Sequence, residues 1–253
     1  MDEFVQFMEE LADASAKIIR MYFRSNLGID HKTDNTPVTI ADRESEQVMR
    51  SMIREKFPDH GILGEEFGEI NSGAEYQWIL DPIDGTKNFV SGTCIFGTLI
   101  ALLRDGKPIL GVINNPLLDQ FLIGDGSNAW LNGDPVHVRP CKKITDATLL
   151  TTSHWEVHRQ RNGKAFDNLT QKVKFYRTWG DCYGYYLVAT GYADIMIDPA
   201  MYIWDVAPMI PIIRGAGGTI TDYFGNDPLH GKGAVATAGF FHDEVVDLLN
   251  PRS

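Results

Sequence analysis

Phe4, Met8, Leu11, Ala14, Ile18 and Met21 recur at steps of three and four residues, which predicts an amphipathic helix over the first segment. A second helix is expected from about Ala41 to Phe57, with Val48, Met49, Met52 and Ile53 facing inward and Pro58-Asp59-His60-Gly61 ending it. Short apolar strands follow at Ile62-Leu63 and Trp78-Ile79-Leu80. The middle of the chain reads as hairpins. Apolar strands from Phe96 to Leu103 and from Pro108 to Ile113 are joined through Asp105-Gly106, a two-residue turn signal. Phe121-Leu122-Ile123 starts another strand, and Asn132-Gly133 marks a further turn.

Beyond about residue 145 the rhythm changes to strand-like and helix-like stretches in alternation. These are Leu149–Thr152, Lys164–Val173, Lys174–Thr178, Cys182–Ala189, Ile195–Ile197, Val206–Arg214, Thr219–Asp222 and a last helix near Asp243–Leu249. Such alternation predicts a sheet covered by helices, and an α/β (α+β) fold overall. With no repeat, low-complexity tract or long linker, one catalytic unit over 1–253 is expected, its halves 1–144 (α+β) and 145–253 (α/β).

A chain of 253 residues with 43% hydrophobic and 23% charged positions can bury a core without staples. The net charge of -11, from 34 acidic against 23 basic residues, argues against nucleic acid as a partner. An acidic protein still binds a phosphorylated substrate where metal ions supply local positive charge. Cys94, Cys141 and Cys182 are odd in number and far apart, which predicts small neutral residues rather than disulfides or a zinc site. No stretch reaches the ~20 apolar residues of a membrane span. Asp2 and Glu3 stand where a signal peptide would be positive, so a cytoplasmic location is expected.

Asp81-Pro82-Ile83-Asp84-Gly85-Thr86 changes the picture most, because it follows the strand Trp78-Ile79-Leu80 and so places two aspartates at a strand end. Pro82 fixes one backbone angle, and Gly85 permits an unusual one or the close approach of a ligand. Two carboxylates on a stiff turn can reach one pair of Mg²⁺ ions, which take hard oxygen ligands and keep several waters. A bare motif of this kind can equally be an Asx-capped turn. Gly64-Glu65-Glu66 and Trp204-Asp205 add acids at a strand end and a helix start, positions that surface exposure or N-capping would also explain.

Taken together, Gly64-Glu65-Glu66, Trp78–Thr86 and Trp204-Asp205-Val206-Ala207, with Gly217-Gly218 following, resemble the inositol monophosphatase family from Pro37-Val38-Thr39 to the end of the chain. The resemblance implies a layered α-β-α-β-α sugar-phosphatase fold, usually a homodimer. It also implies two or three Mg²⁺ ions per site and hydrolysis of a small-molecule phosphate monoester. By the same resemblance Glu65, Asp81 and the Ile83 carbonyl match the ligands of a first metal, and Asp81, Asp84 and Asp205 those of a second. Thr86 and Asp42 match the pair that orients and deprotonates the attacking water, and the amides of Gly85 and Thr86 would hold phosphate oxygens. This agrees with the chemistry: a phosphate monoester repels hydroxide until cations neutralise it, and a metal lowers the pKa of bound water.

Pro37–Arg43, Asp59–Gly68 and Gly180-Asp181-Cys182-Tyr183-Gly184 resemble the histidinol-phosphatase branch. That branch converts L-histidinol phosphate to L-histidinol and phosphate in histidine biosynthesis. An acidic wall suits the cationic histidinol, and Asp181 and Asp198 are expected to receive its amino-alcohol end beside Gly180. Helix capping is the plain alternative for Asp181. The rival readings are an ordinary inositol monophosphatase and, remotely, a non-catalytic metal-binding regulatory protein. His154 and His158 have helical metal-ligand spacing without an HExxH acid, which favours a surface or rim role. Lys32 resembles a lysine on a mobile loop near the metals. Tyr183, Tyr185 and Tyr186 read as core and rim residues, and Pro208 and Pro211 fall within the helix after Asp205, the second expected to kink it.

Overall fold

The computed structural model of the chain describes residues 1–25, 29–31 and 37–251, of which 29–31 and 37–38 are described by their backbone alone. Lys32 lies outside the described residues. In chain order the first elements are α1 (Asp2–Tyr22), β1 (Ile29–His31), β2 (Pro37–Thr39), α2 (Ile40–Lys56), β3 (Gly61–Gly64), β4 (Gly68–Ile70), β5 (Tyr76–Asp84) and α3 (Thr86–Val90). The strands β6 (Gly97–Arg104), β7 (Lys107–Asn115), β8 (Gln120–Gly124), β9 (Ala129–Leu131) and β10 (Asp134–Pro135) follow. The remainder comprises β11 (Thr148–Thr151), α4 (His154–Gln160), α5 (Gly163–Thr170), β12 (Phe175–Arg177), α6 (Asp181–Ala189), β13 (Ile195–Asp198), α7 (Ile203–Gly215), β14 (Thr219–Thr221), β15 (Ala234–Thr237) and α8 (His242–Leu249).

Eight strands form one sheet in the order β10-β9-β8-β7-β6-β5-β3-β4, and five form a second in the order β12-β11-β13-β15-β14. Alternation along each strand decides which layer it faces. Trp78, Leu80, Ile100, Leu102 and Val112 pack on Phe7, Met8 and Leu11 of α1 and Met49 and Ile53 of α2. The intervening residues Ile79, Leu99, Ala101 and Ile113 turn the other way, onto Tyr185 of α6 and Val206, Met209, Ile210 and Ile213 of α7. Met196 and Ala236 of the second sheet meet the same helices from behind. Leu149, Ile195, Ile197 and Val235 then cover Phe166 and Leu169 of α5 and Val245 and Leu249 of α8. The succession is α-β-α-β-α. Among the described residues no helix is long and apolar enough to cross a membrane.

The middle layer requires close approach. A Cβ on Gly111 of β7 would lie 2.1 Å from the Pro208 carbonyl oxygen, and one on Gly124 of β8 would lie 2.5 Å from the Ile212 Cα. Glycine lets α7 settle onto the sheet backbone here. The helix runs through both prolines without ending, and the Gly126 N–H takes up the Pro211 carbonyl at 3.1 Å.

The two-residue turn at Asp105-Gly106 has φ of 48° and 73°, as the turn reading requires. The strands β1, β2 and β4, the buried strand β15 and the helix α4 are additions to the sequence reading. β4 is short and fully exposed, so it carries no apolar alternation. α4 rests on its Ser153 cap, whose Oγ accepts from Glu156 N at 3.3 Å, more than on periodicity. Cys94, Cys141 and Cys182 are free thiols.

Candidate active site

Side chains three apart on a regular strand point to opposite faces, so Asp81 and Asp84 could not share a site on an ideal β5. The pairing with β6 resolves this. Asp81 lies opposite Leu99 and Asp84 opposite Gly97, so three steps on β5 face two on β6, and the extra residue forms a bulge that brings both carboxylates to one side. Pro82 sits inside the bulge, where no ladder donor is needed, and its carbonyl accepts from Thr98 Oγ1 at 2.9 Å. The Ile83 amide donates to Asp81 Oδ1 at 3.0 Å, and Thr86 Oγ1 donates to the Ile83 carbonyl at 3.1 Å. Gly85 takes φ of 87°, a left-handed conformation, and leads into α3.

Asp205 arrives from far along the chain. It is the third residue of α7 and accepts the Tyr202 amide at 2.7 Å, which fixes its carboxylate at the helix mouth. Carboxylate oxygens of Asp81, Asp84 and Asp205 lie within 4.8 Å of one another. Glu65, just beyond β3, is anchored by its amide on the Leu80 carbonyl at 3.1 Å and shares a hydrogen bond with Asp81.

Burial and mutual repulsion raise the three aspartates of this group. The Asp81 carboxyl is held well above the usual range, first by desolvation and then by Glu65, Asp84 and Asp205. Desolvation, then Asp205, pushes Asp84 up to about 8, against the pull of the Cys182 amide. Desolvation likewise takes Asp205 to about 8, although its bond from Tyr202 pulls down. Such a cluster is ionised at neutral pH only when cations compensate it. An all-oxygen donor set at one strand end and one helix mouth fits hard divalent ions such as Mg²⁺.

Asp42 is buried in the first turn of α2, where its carboxylate accepts the Thr39 amide at 2.8 Å and the Thr39 hydroxyl at 2.6 Å. Burial lifts it to about 7, with Glu66 and Glu65 adding to the rise and Thr39 opposing it. Thr86 and Asp42 are not joined by a hydrogen bond among the described residues; each is held by its own backbone neighbour.

The cleft beside this centre is lined by Asp84, Thr152, Ser153, Glu156, Asp181, Tyr185, Asp198, Met201 and Asp205. Asp181 does not cap its helix. Gly180 occupies the cap position, and the Asp181 carboxylate instead accepts Asn88 Nδ2 of α3 at 2.7 Å. Its backbone is left-handed, with φ of 48°, held by its amide on Thr152 Oγ1 at 2.7 Å. A Cβ on Gly180 would fall 2.1 Å from the Thr152 Cα, so this crossing also needs glycine. Asp198 accepts the Thr152 amide at 3.2 Å, and desolvation raises it to about 6. His154 and His158 turn away from the cleft toward α5.

Several supporting residues carried no sequence signal. Glu46 is fully buried, accepts the amides of Glu66 (2.7 Å) and Phe67 (3.2 Å), and pairs with Arg50 at 3.0 Å. It fixes the backbone of the turn that presents Glu65. In sequence it is one more polar residue of an amphipathic helix. Asn88 and Thr152 are equally silent, since their partners lie 93 and 29 residues away.

The inositol monophosphatase family model matches residues 1–251. The chain is 43% identical over 245 residues to the chloroplastic bifunctional phosphatase IMPL2 of Arabidopsis thaliana, covering 96% of this chain and 70% of that one. It is 41% identical over 235 residues to the histidinol-phosphatase of Chlorobaculum parvum, covering 92% and 91%. A solved inositol monophosphatase from Zymomonas mobilis superposes with a TM-score of 0.88 at 35% identity, covering 98% of both chains. The bulged aspartate pair, the returning Asp205 and these matches together make the chain a member of the inositol monophosphatase family, a family of metal-dependent phosphatases.

Proposed function

We propose that the chain hydrolyses L-histidinol phosphate to L-histidinol and inorganic phosphate, a step of histidine biosynthesis. The observation that carries this reading is the acidic wall of the cleft. Asp181 and Asp198 stand beside Asp84, and Glu156 faces the same cleft. A neutral polyol gains only hydroxyl hydrogen bonds from such a wall, whereas an ammonium and an imidazolium add the attraction of opposite charges. The similarity to a histidinol-phosphatase over most of both chains supports the same substrate.

In this reading Glu65, Asp81, the Ile83 carbonyl, Asp84 and Asp205 hold two or three Mg²⁺ ions. Bound there, the ions neutralise the phosphate and make water nucleophilic at neutral pH. The chain's own residues do the rest. Thr86 Oγ1 orients the attacking water, and Asp42, raised to about 7 by burial, takes its proton. The Gly85 and Thr86 amides donate to phosphate oxygens. Water oxygen bonds to phosphorus as the bond to the substrate oxygen breaks, and the proton taken up by Asp42 is returned through solvent to the leaving alkoxide, giving the alcohol. Gly180 keeps the α6 entry low, so that Asp181 and Asp198 accept from the amino-alcohol end.

Phosphate release from histidinol phosphate and from inositol phosphate, measured in parallel with saturating Mg²⁺, tests the reading. A kcat/KM at least tenfold higher for histidinol phosphate is expected; a preference for inositol phosphate would overturn it.

A further inference from the structure

A second set of ligand-type side chains converges outside the phosphatase centre. His154 and His158 lie one turn apart on α4, their rings stacked with centroids 5.1 Å apart. Both aim Nε2 at the same oxygen of Asp167 on α5. The distances to Asp167 Oδ1 are 3.1 Å from His154 and 2.9 Å from His158, and the three ligand atoms lie within 4.8 Å of one another. Ligands of one tetrahedral zinc, at bonds of about 2.0–2.1 Å, stand roughly 3.3 Å apart, so little movement is needed to admit an ion.

Two supporting contacts favour ligation. His154 Nδ1 lies 2.8 Å from the Tyr176 hydroxyl, which orients the ring and leaves Nε2 as the ligating nitrogen. The His158 ring occupies space that only glycine leaves free: a Cβ on Gly163 would lie 2.4 Å from its Nδ1. The His154, His158 and Asp167 side chains are 33%, 35% and 46% exposed, so an ion can enter from solvent and retain a water.

We propose that His154, His158 and Asp167 form a second metal site, selective for Zn²⁺ or another nitrogen-preferring divalent ion. Two imidazoles and one carboxylate favour such an ion over Mg²⁺, whereas the phosphatase centre offers only oxygen. The ion would cross-link α4 to α5. Because α4 also supplies Glu156, and its cap Ser153, to the cleft, the cross-link would steady that rim.

Equilibrium dialysis of the whole chain against Zn²⁺, with Mg²⁺ in large excess to fill the oxygen centre, tests the proposal. One equivalent of Zn²⁺ is expected in the wild type and in Asp84→Asn. His158→Ala and the near-isosteric Asp167→Asn should each weaken it at least tenfold. Gly163→Ala, which keeps all three ligands but displaces the His158 ring, should weaken it as well. Co²⁺ in place of Zn²⁺ should give the visible absorption of a four- or five-coordinate ion, lost in the same variants. Thermal unfolding in chelator verifies that each variant is folded. Absence of bound Zn²⁺, binding indifferent to His158→Ala and Asp167→Asn, or binding lost in Asp84→Asn would overturn the site.

Discussion

The Asp84 carboxylate, at the end of β5, accepts the backbone N–H of Cys182, 98 residues further on at the start of α6. One side chain of the carboxylate cluster is thereby also the cap of a helix beneath the second sheet. The bond favours the ionised carboxylate, orients it, and joins the two layers at the site itself.

Asp84→Asn keeps an oxygen that can accept from Cys182 and removes the charge that a cation needs. Turnover should fall by two or more orders of magnitude, with unfolding midpoints close to wild type. Near-normal phosphate release from a folded Asp84→Asn protein would remove the metal-dependent reading of this cluster.

Asp181 makes no helix cap; burial, then Asp84 and Asp198, raises its carboxyl well above the usual range, so a cationic group entering the cleft would hold it ionised. Asp181→Asn should lower kcat/KM for histidinol phosphate by about tenfold, the worth of one charge-assisted hydrogen bond. Inositol phosphate should be turned over within about twofold of wild type. Equal losses on both substrates would assign the residue to the architecture of the site instead of to selectivity.

Glu46 acts through the turn that carries Glu65. Glu46→Gln leaves Arg50, which still donates to the Gly68 carbonyl, without its counter-charge in a largely buried setting and should cost about 3 kcal/mol of stability. The Mg²⁺ concentration for half-maximal activity should rise at least tenfold, while kcat at saturating Mg²⁺ stays near wild type. A fall in kcat alone would place Glu46 elsewhere in the mechanism.

Gly111→Ala drives a methyl group into the Pro208 carbonyl and forces α7 off the sheet. A loss of about 2 kcal/mol or more in urea unfolding is expected. Because α7 carries Asp205, Mg²⁺ affinity should fall with it; Gly106→Ala, at an open turn, should leave Mg²⁺ affinity alone.

His242 is held neutral between Thr221 Oγ1 at 2.9 Å from Nε2 and Thr237 Oγ1 at 2.9 Å from Nδ1, and burial lowers its pKa below the usual 6.5. The unfolded chain therefore takes up a proton near pH 6.5 that the folded chain refuses. Stability contributed here is complete above that pH and is lost as pH falls from 6.5 toward the lower folded value. The unfolding free energy of His242→Gln, subtracted from that of wild type between pH 8 and 5, should show this slope; a flat difference would refute it.

Much of this molecule was legible in the sequence where local chemistry decided the outcome. The α1 and α2 helices, the Asp105-Gly106 turn and the apolar β6 and β7 strands are local features, and the structure carries them with shifts of a residue or two at their ends. The buried α1 face is rotated from the expected one, onto Phe7, Met8, Leu11, Ala12, Ser15 and Ile19, and leaves Met21 exposed. The α2 start moved to Ile40 because Thr39 caps it and Asp42 closes the box. The bulge that turns Asp81 and Asp84 to one face depends on the register with β6, which no window of sequence contains. The capping alternative for Asp181 stayed open in the sequence for a similar reason. An aspartate ahead of a helix reads as a cap, but Thr152 and Asn88, from other elements, claim its amide and carboxylate.

The shared middle layer has one further consequence. α7 belongs to the second half of the sequence, yet Val206, Met209, Ile210 and Ile213 fill the inner face of the first sheet. A gene split after residue 144 would thus yield one fragment with a bare apolar sheet face and another with an uncovered greasy helix. Expressed alone, each should aggregate; expressed together, they should find each other and restore a soluble split protein.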